Sequence, residues 1–192
     1  MAHLTKNCID HTQSDFGELK VLDDVVRHRA GDDPPAPILG YPRTHDRVDD
    51  YEQFIGRQVD NFIDAAVRYH MRAGLATNKK EVIAIHAPSD IDFVVTLFAL
   101  SRLGYTVMCP SLRLAPLAIK NLLEQTNRGA IAHGTIQHIS ETLQAVLADN
   151  PLKSMPVPDR AVYSSPRSEQ DAPFRRRFDP EHETDEMALI HK

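Results

Sequence analysis

Cysteine is nearly missing from this chain of 192 residues: only Cys8 and Cys109 occur, far apart and in no CxxC pair. That excludes a disulfide framework and points to a reducing compartment. Cys109 closes a short apolar stretch and is expected in the core. Glycine is sparse as well. The eight glycines spell neither GxGxxG nor GxxxxGK[ST], and Gly129 and Gly134 stand isolated, so no phosphate cradle can be assigned. No GxSxG surrounds Ser89, which leaves it a helix cap rather than a nucleophile.

An excess of basic charge is also missing. The net charge is −5 with both signs interspersed, and Arg175-Arg176-Arg177 is too short to make a nucleic-acid footprint, so the triplet reads as a solvated loop. The most apolar stretch, Ile91 to Cys109, carries Asp92 and Arg102, which rules it out as a membrane span. No charged-then-apolar leader opens the chain, and the expectation is a cytoplasmic protein with no nucleic-acid or membrane partner. Metal ligands are not assembled either. His133 and His138 are five apart with no cysteine or third ligand, and His182-Glu183 with Glu186 lacks the second histidine of a zinc-protease motif. No metal site is expected.

What is present is apolar pattern: 42% of the residues are hydrophobic, enough for one sizeable core. Glu81 to Thr126 holds most of it. Val82, Ile83 and Ile85 form a β-branched run that Ala87-Pro88 ends. Ser89 is the expected N-cap of the next helix, with Asp92 three residues on to close a capping box. Ile91, Val94, Val95, Phe98 and Leu103 recur at helical spacing, and Gly104 suits the left-handed turn after the helix. Tyr105 to Cys109 is then a second strand, closed by Pro110. Strand, helix and strand within this length make a βαβ unit with parallel strands. Leu117, Ala118, Leu122 and Leu123 predict a further helix, and Gly129 to Ala132 a third strand.

Around this centre, Leu19 to Val26 predicts a short helix stopped by Gly31-Asp32-Asp33-Pro34-Pro35, and Ile38 to Tyr41 a short strand. Val48 to Met71 reads as one amphipathic helix with Tyr51, Phe54, Ile55, Val59, Phe62 and Ile63 on its apolar face and Asp60 and Asp64 mainly off it. Gly56 would then be an interior helical glycine. Ile136, Ile139, Leu143 and Val146 form another stripe, with Thr135 as its cap and Asn150-Pro151 as its stop. From Pro151 to Pro180 the composition turns to Pro, Ser, Arg and Asp, predicting an exposed connector. Met187 to Ile190 resembles the start of a buried strand.

The segment VIAIHAPSDIDFVVTLFALSRLGYTVMCPSLRLAPLAIKNLLEQT at Val82 to Thr126, the preceding helix with Tyr51, and the terminal ALIHK at Ala188 to Lys192 resemble the N-terminal part of adenylate-forming (AMP-binding) enzymes. Within that superfamily the likeness is to acyl-CoA synthetase-like proteins and the nonribosomal-peptide-synthetase-like proteins of filamentous fungi. The resemblance implies an α/β fold with a partial Rossmann-like, largely parallel sheet and flanking helices. It also implies an organisation: residues 1–18 a loose leader, 19–150 the N-terminal part of a truncated adenylation domain, 151–186 a Pro/charge-rich connector, and 187–192 the start of the strand before the family's phosphate loop.

In the complete family ATP and Mg serve acyl-AMP formation on a Ser/Thr/Gly-rich loop, with a catalytic lysine from a C-terminal domain. Here His191 and Lys192 only border the place of that loop, and no catalytic, cofactor-binding or metal residue is assigned. The expectation is a truncated relative of carboxylate-activating enzymes of secondary metabolism, inactive and without cofactor on its own. Its implied partner is a larger synthetase or a carrier protein. The alternatives are a non-catalytic docking module or the remnant of a decayed gene. From the residues alone, His86 is the best candidate for a functional histidine, because the ends of parallel strands often face ligands.

Overall fold

The computed structural model describes residues 19, 21–44, 49–77, 81–126, 128–148, 152–165 and 172–175. In chain order these form α1 (Leu22–Arg29), β1 (Pro37–Pro42), β2 (Tyr51–Ile55), α2 (Gly56–Arg72), β3 (Val82–His86), α3 (Ile91–Leu103), β4 (Thr106–Met108), α4 (Pro116–Glu124), β5 (Arg128–His133), α5 (Gln137–Leu147), β6 (Lys153–Pro156) and α6 (Arg160–Tyr163). They fall into two compact units, the first ending at Arg57 and the second beginning at Gln58. The leader 1–18, Cys8 and the strand expected at Met187 to Ile190 lie outside the described residues.

In the first unit, α1 carries Asp23 and Asp24 in its first turn and Arg27, His28 and Arg29 in its last, each sign at the favourable end of the helix dipole. The Val21 N–H donates to the Asp24 carboxylate at 3.1 Å, which satisfies one donor at the helix start. β1 and β2 form an antiparallel pair with Leu39 opposite Phe54 and Tyr41 opposite Glu52.

That pairing corrects the single long helix expected from Val48. Tyr51 to Ile55 is a strand, because its aromatic and β-branched side chains suit a pleated surface and β1 supplies the backbone partners. Gly56 is therefore the first residue of α2 rather than an interior one. A Cβ there would lie 2.2 Å from the Arg29 carbonyl oxygen, so only glycine lets the two backbones approach this closely.

The second unit is built on a parallel sheet in the order β4-β3-β5-β6. From β3 the chain steps outward to β4, then returns across β3 to β5 and continues to β6. With right-handed crossovers, α3 belongs to one face and α4 and α5 to the other. The core obeys this. Ala84 and Ile131 point to the α4–α5 face and pack with Ile119, Leu123, Leu143 and Val146, while Ile83 and Ile85, equally buried, alternate to the opposite face. Gly104 ends α3 at φ 92°, as its position predicts.

Several local expectations change. The cap of α3 is Asp90, whose carboxylate accepts the Phe93 N–H at 2.9 Å; Ser89 is exposed, because the helix starts one residue later than a serine cap would place it. The residue before α5 is Ile136, with no side-chain cap, so Thr135 does not serve there. Cys109 is exposed rather than core, since β4 stops at Met108 and the chain turns outward. The expected connector also contributes structure. Lys153–Pro156 is the fourth strand, and Met155 and Tyr163 are 3% and 1% exposed. Tyr163 stacks at 5.3 Å, tilted, on Phe62 of α2, and its hydroxyl donates to Asp92 of α3. A short segment with only two large buried side chains has no period to read, which is why composition alone suggested solvent.

A fully buried guanidinium joins α2 to α3. Arg102 is 0% exposed, its Nη2 lying 2.7 Å from Asp60 and its Nη1 2.6 Å from Asp64. Asp60 and Asp64 are one helical turn apart and meet the same cation, so the expectation that Asp64 sits off the buried face gives way. Burying three charges is costly unless each is paired, and removing one partner from such a group typically costs about 3–5 kcal/mol.

Two predictions follow from the packing. Gly56→Ala should destabilise the protein by about 2 kcal/mol or more through backbone overlap with Arg29, read as a lowered Tm in thermal unfolding; an unchanged Tm would refute the contact. His70 of α2 is fully buried with neither ring nitrogen hydrogen-bonded, and burial pushes its pKa down to about 4. The folded pKa is depressed, so the unfolded chain binds the proton more tightly and stability falls as pH drops from the ordinary histidine value toward 4. The loss at pH 4 is about 3 kcal/mol, and His70→Leu should flatten that part of a denaturation-versus-pH curve; an identical slope in the variant would exclude His70 as the cause.

Candidate functional site

β3 and β5 are neighbours whose onward connections leave in opposite directions, so the crevice beyond their carboxyl ends is the topological switch point of the sheet. Their last residues, His86 and His133, are register partners. Strand alternation puts His86 on the same face as Ala84, the side of α4 and α5. It is 1% exposed and neither ring nitrogen has a hydrogen-bond partner; the Pro110 carbonyl favours the charged ring without reaching hydrogen-bond geometry. Burial lowers its pKa, and the nearby His138 and His133 lower it further. His133 places Nδ1 2.9 Å from the Gly134 carbonyl, and His138 is exposed on the first turn of α5. The structure thus brings together three histidines of which the sequence paired only two.

These imidazoles do not form a metal centre. Among the described residues, no group of three or more His, Cys, Asp or Glu side chains is placed to hold a metal ion. His182, Glu183, Glu186, His191, Lys192, Arg176 and Arg177 lie outside the described residues, and Arg175 is exposed.

A pocket of about 350 Å³ opens beside the crevice, on the α2–α3 side, with Tyr69, Asp90, Asp92, Ile136, Asp159 and Val162 among its walls. Loop and helix starts after β3, β5 and β6 supply most of this lining. Asp90 and Asp159 are both N-caps, Asp159 accepting the Val162 N–H at 3.1 Å, so their negative charges are fixed by the helices they start. Asp92 is the protected member. Burial raises its pKa, the Tyr163 hydroxyl bond opposes that, and Asp90 and Asp159 raise it further, with Arg160 partly compensating. The Tyr163 phenol is pushed far upward by burial and by its bond to Asp92, so it stays a proton donor at every physiological pH. Tyr69 donates to the Pro156 carbonyl at 3.3 Å, and burial, then Asp159, raises its pKa.

Chemically, the pocket is acidic with an apolar rim. Among the described residues no lysine or arginine lines it, so a triphosphate would meet three carboxylates there; the start of α5 at Ile136 is the one helix start in the lining without a side-chain cap. The sequence missed this site because its residues come from separate turns: of its three carboxylates only Asp92 was singled out, as a capping partner, and the signal for Asp159 was a cap position hidden in a proline-rich run.

No protein-family model matches the sequence, and a search of curated proteins returns no match. Solved structures do match in fold. A fatty acyl CoA synthetase of Mycobacterium tuberculosis aligns with a TM-score of 0.57 and 14% identity over 74% of this chain and 27% of its own. The N-terminal subdomain of Klebsiella oxytoca NpsA, solved with 3-hydroxybenzoyl-AMSN, aligns at 0.57 and 12% over 81% and 35%. A fatty acyl-adenylate ligase from L. pneumophila, solved with acyl adenylate and pyrophosphate, aligns at 0.55 and 10% over 76% and 24%. The chain spans about a quarter to a third of the length of these structures. At such identities the likeness is one of fold, and the fold is that of the N-terminal subdomain of adenylate-forming enzymes.

Proposed function

We propose that this chain is the N-terminal, sheet-bearing part of an ATP-dependent carboxylate-activating protein, of the nonribosomal-peptide-synthetase-like or acyl-CoA synthetase-like kind and serving secondary metabolism. The observation that carries the reading is the helix-flanked parallel sheet in the order β4-β3-β5-β6, together with its likeness to acyl-adenylate-forming structures. The role assigned to these residues is scaffolding. Acyl-AMP formation needs N–H groups, a lysine and magnesium positioned against phosphate charge, and among the described residues the pocket at the strand ends is lined by three carboxylates and no lysine. ATP and magnesium belong, in this proposal, to the complete protein, and a larger synthetase or a carrier protein is the partner, in the cytoplasm.

The decisive assay is ATP–pyrophosphate exchange by the purified 192-residue chain with a panel of carboxylic acids. Exchange at the no-protein background is expected, and exchange above it would overturn the scaffolding role. Family membership is tested apart from activity by sequencing the transcript across the codon for Lys192: a frame that runs on into a Ser/Thr/Gly-rich loop supports it, and one that runs on into unrelated sequence removes it.

A further inference from the structure

Asp64 serves two partners at once. Its Oδ1 takes Nη1 of the buried Arg102 at 2.6 Å, and its Oδ2 takes the backbone N–H of Phe174 at 3.1 Å. The carboxylate is 1% exposed, Phe174 is half-buried, and its neighbours Pro173 and Arg175 are exposed. A stretch of otherwise exposed chain therefore touches down, through a backbone donor, on the ion group that joins α2 to α3. We infer that residues 172–175 form a strap seated on Asp64, and that the strap and the α2–α3 joint loosen together because they share one carboxylate.

The physical basis is reciprocity. Arg102 holds the Asp64 carboxylate in the orientation that presents Oδ2 outward, and the Phe174 N–H in turn covers an oxygen that water would otherwise solvate. Water reaching that oxygen raises the local dielectric and weakens the attraction to Arg102. Losing Arg102 frees the carboxylate to rotate away from Phe174. Each contact raises the other's stability by the same factor, as linkage requires. Asp60 is the built-in contrast, since it binds the same guanidinium at 2.7 Å through Nη2 while Phe174 bonds to Asp64.

Amide hydrogen exchange on the full chain tests this, read at Phe174 and along α2 and α3. Asparagine has one acceptor oxygen where aspartate has two, so Asp64→Asn can satisfy Arg102 or Phe174 but not both. Its Phe174 amide should exchange about tenfold faster than in the unaltered chain, as loss of a hydrogen bond to a charged group implies. In Asp60→Asn the Phe174 rate should change by less than about twofold. Equal acceleration in the two variants, or a Phe174 amide that exchanges at the unprotected rate without any substitution, would overturn the strap. Should Asp64→Asn fail to fold, Phe174→Pro deletes the donor while Asp60, Asp64 and Arg102 keep their side chains. Trypsin should then cut after Arg175 about tenfold faster, with accelerated exchange in α2 and α3; cleavage and exchange at the unaltered rates would equally refute the inference.

Discussion

A guanidinium with no exposure to water constrains the second unit more than any apolar contact does. Arg102 lies on a helix whose other buried side chains are Thr96 and the apolar Ile91, Val95, Ala99, Leu100 and Leu103, and a cation among them would be intolerable without Asp60 and Asp64. Because both carboxylates come from α2, one turn apart, the cation fixes the rotation of α2 about its own axis and its axial position beside α3. An apolar interface tolerates a slip at small cost. A three-charge group does not, since half a turn of displacement would strand Arg102 unpaired at a cost of several kcal/mol.

From that fixed pair of helices the site follows. Setting α2 beside α3 places Tyr69 near the start of α3 and Phe62 where the Tyr163 ring can rest. Tyr163 then brings α6 against Asp92, closing the pocket from the β6 side. The acidic pocket is thus a product of helix placement more than of any contiguous motif. On the opposite face His86 and His133 meet through strand register alone, and α5 adds His138.

Legibility in the sequence divides along the same line. β3, α3 and β4 could be read because punctuation and periodicity agree: Pro88 stops a β-branched run, Gly104 takes the positive φ that ends α3, and Pro110 follows the second strand. β2 could not, since Tyr51, Phe54 and Ile55 fall by coincidence on the helical period of α2, and only pairing with β1 decides between the two. β6 and α6 were invisible because four residues each, with two large side chains buried between them, leave no period against a background of proline and charge. The Arg102 group was hidden for another reason. Local pattern treats Asp60, Asp64 and Arg102 as solvent-facing charges, and only the crossing of two helices reveals that they neutralise one another.

The same distinction bears on where nucleotide chemistry can reside. A parallel sheet of this topology ordinarily offers its switch point to a ligand, but here the carboxyl ends of β3, β5 and β6 are lined by Asp90, Asp92 and Asp159 on one side and a buried, neutral-leaning His86 on the other. Asp90 and Asp159 cap α3 and α6, so N–H groups at those two helix starts are already engaged, whereas the start of α5 at Ile136 has no side-chain cap. The three carboxylates at this end of the sheet therefore oppose a triphosphate's charge. In the proposed reading, phosphate charge is met by groups other than these carboxylates, and the sheet with its flanking helices is the platform against which such groups would be placed.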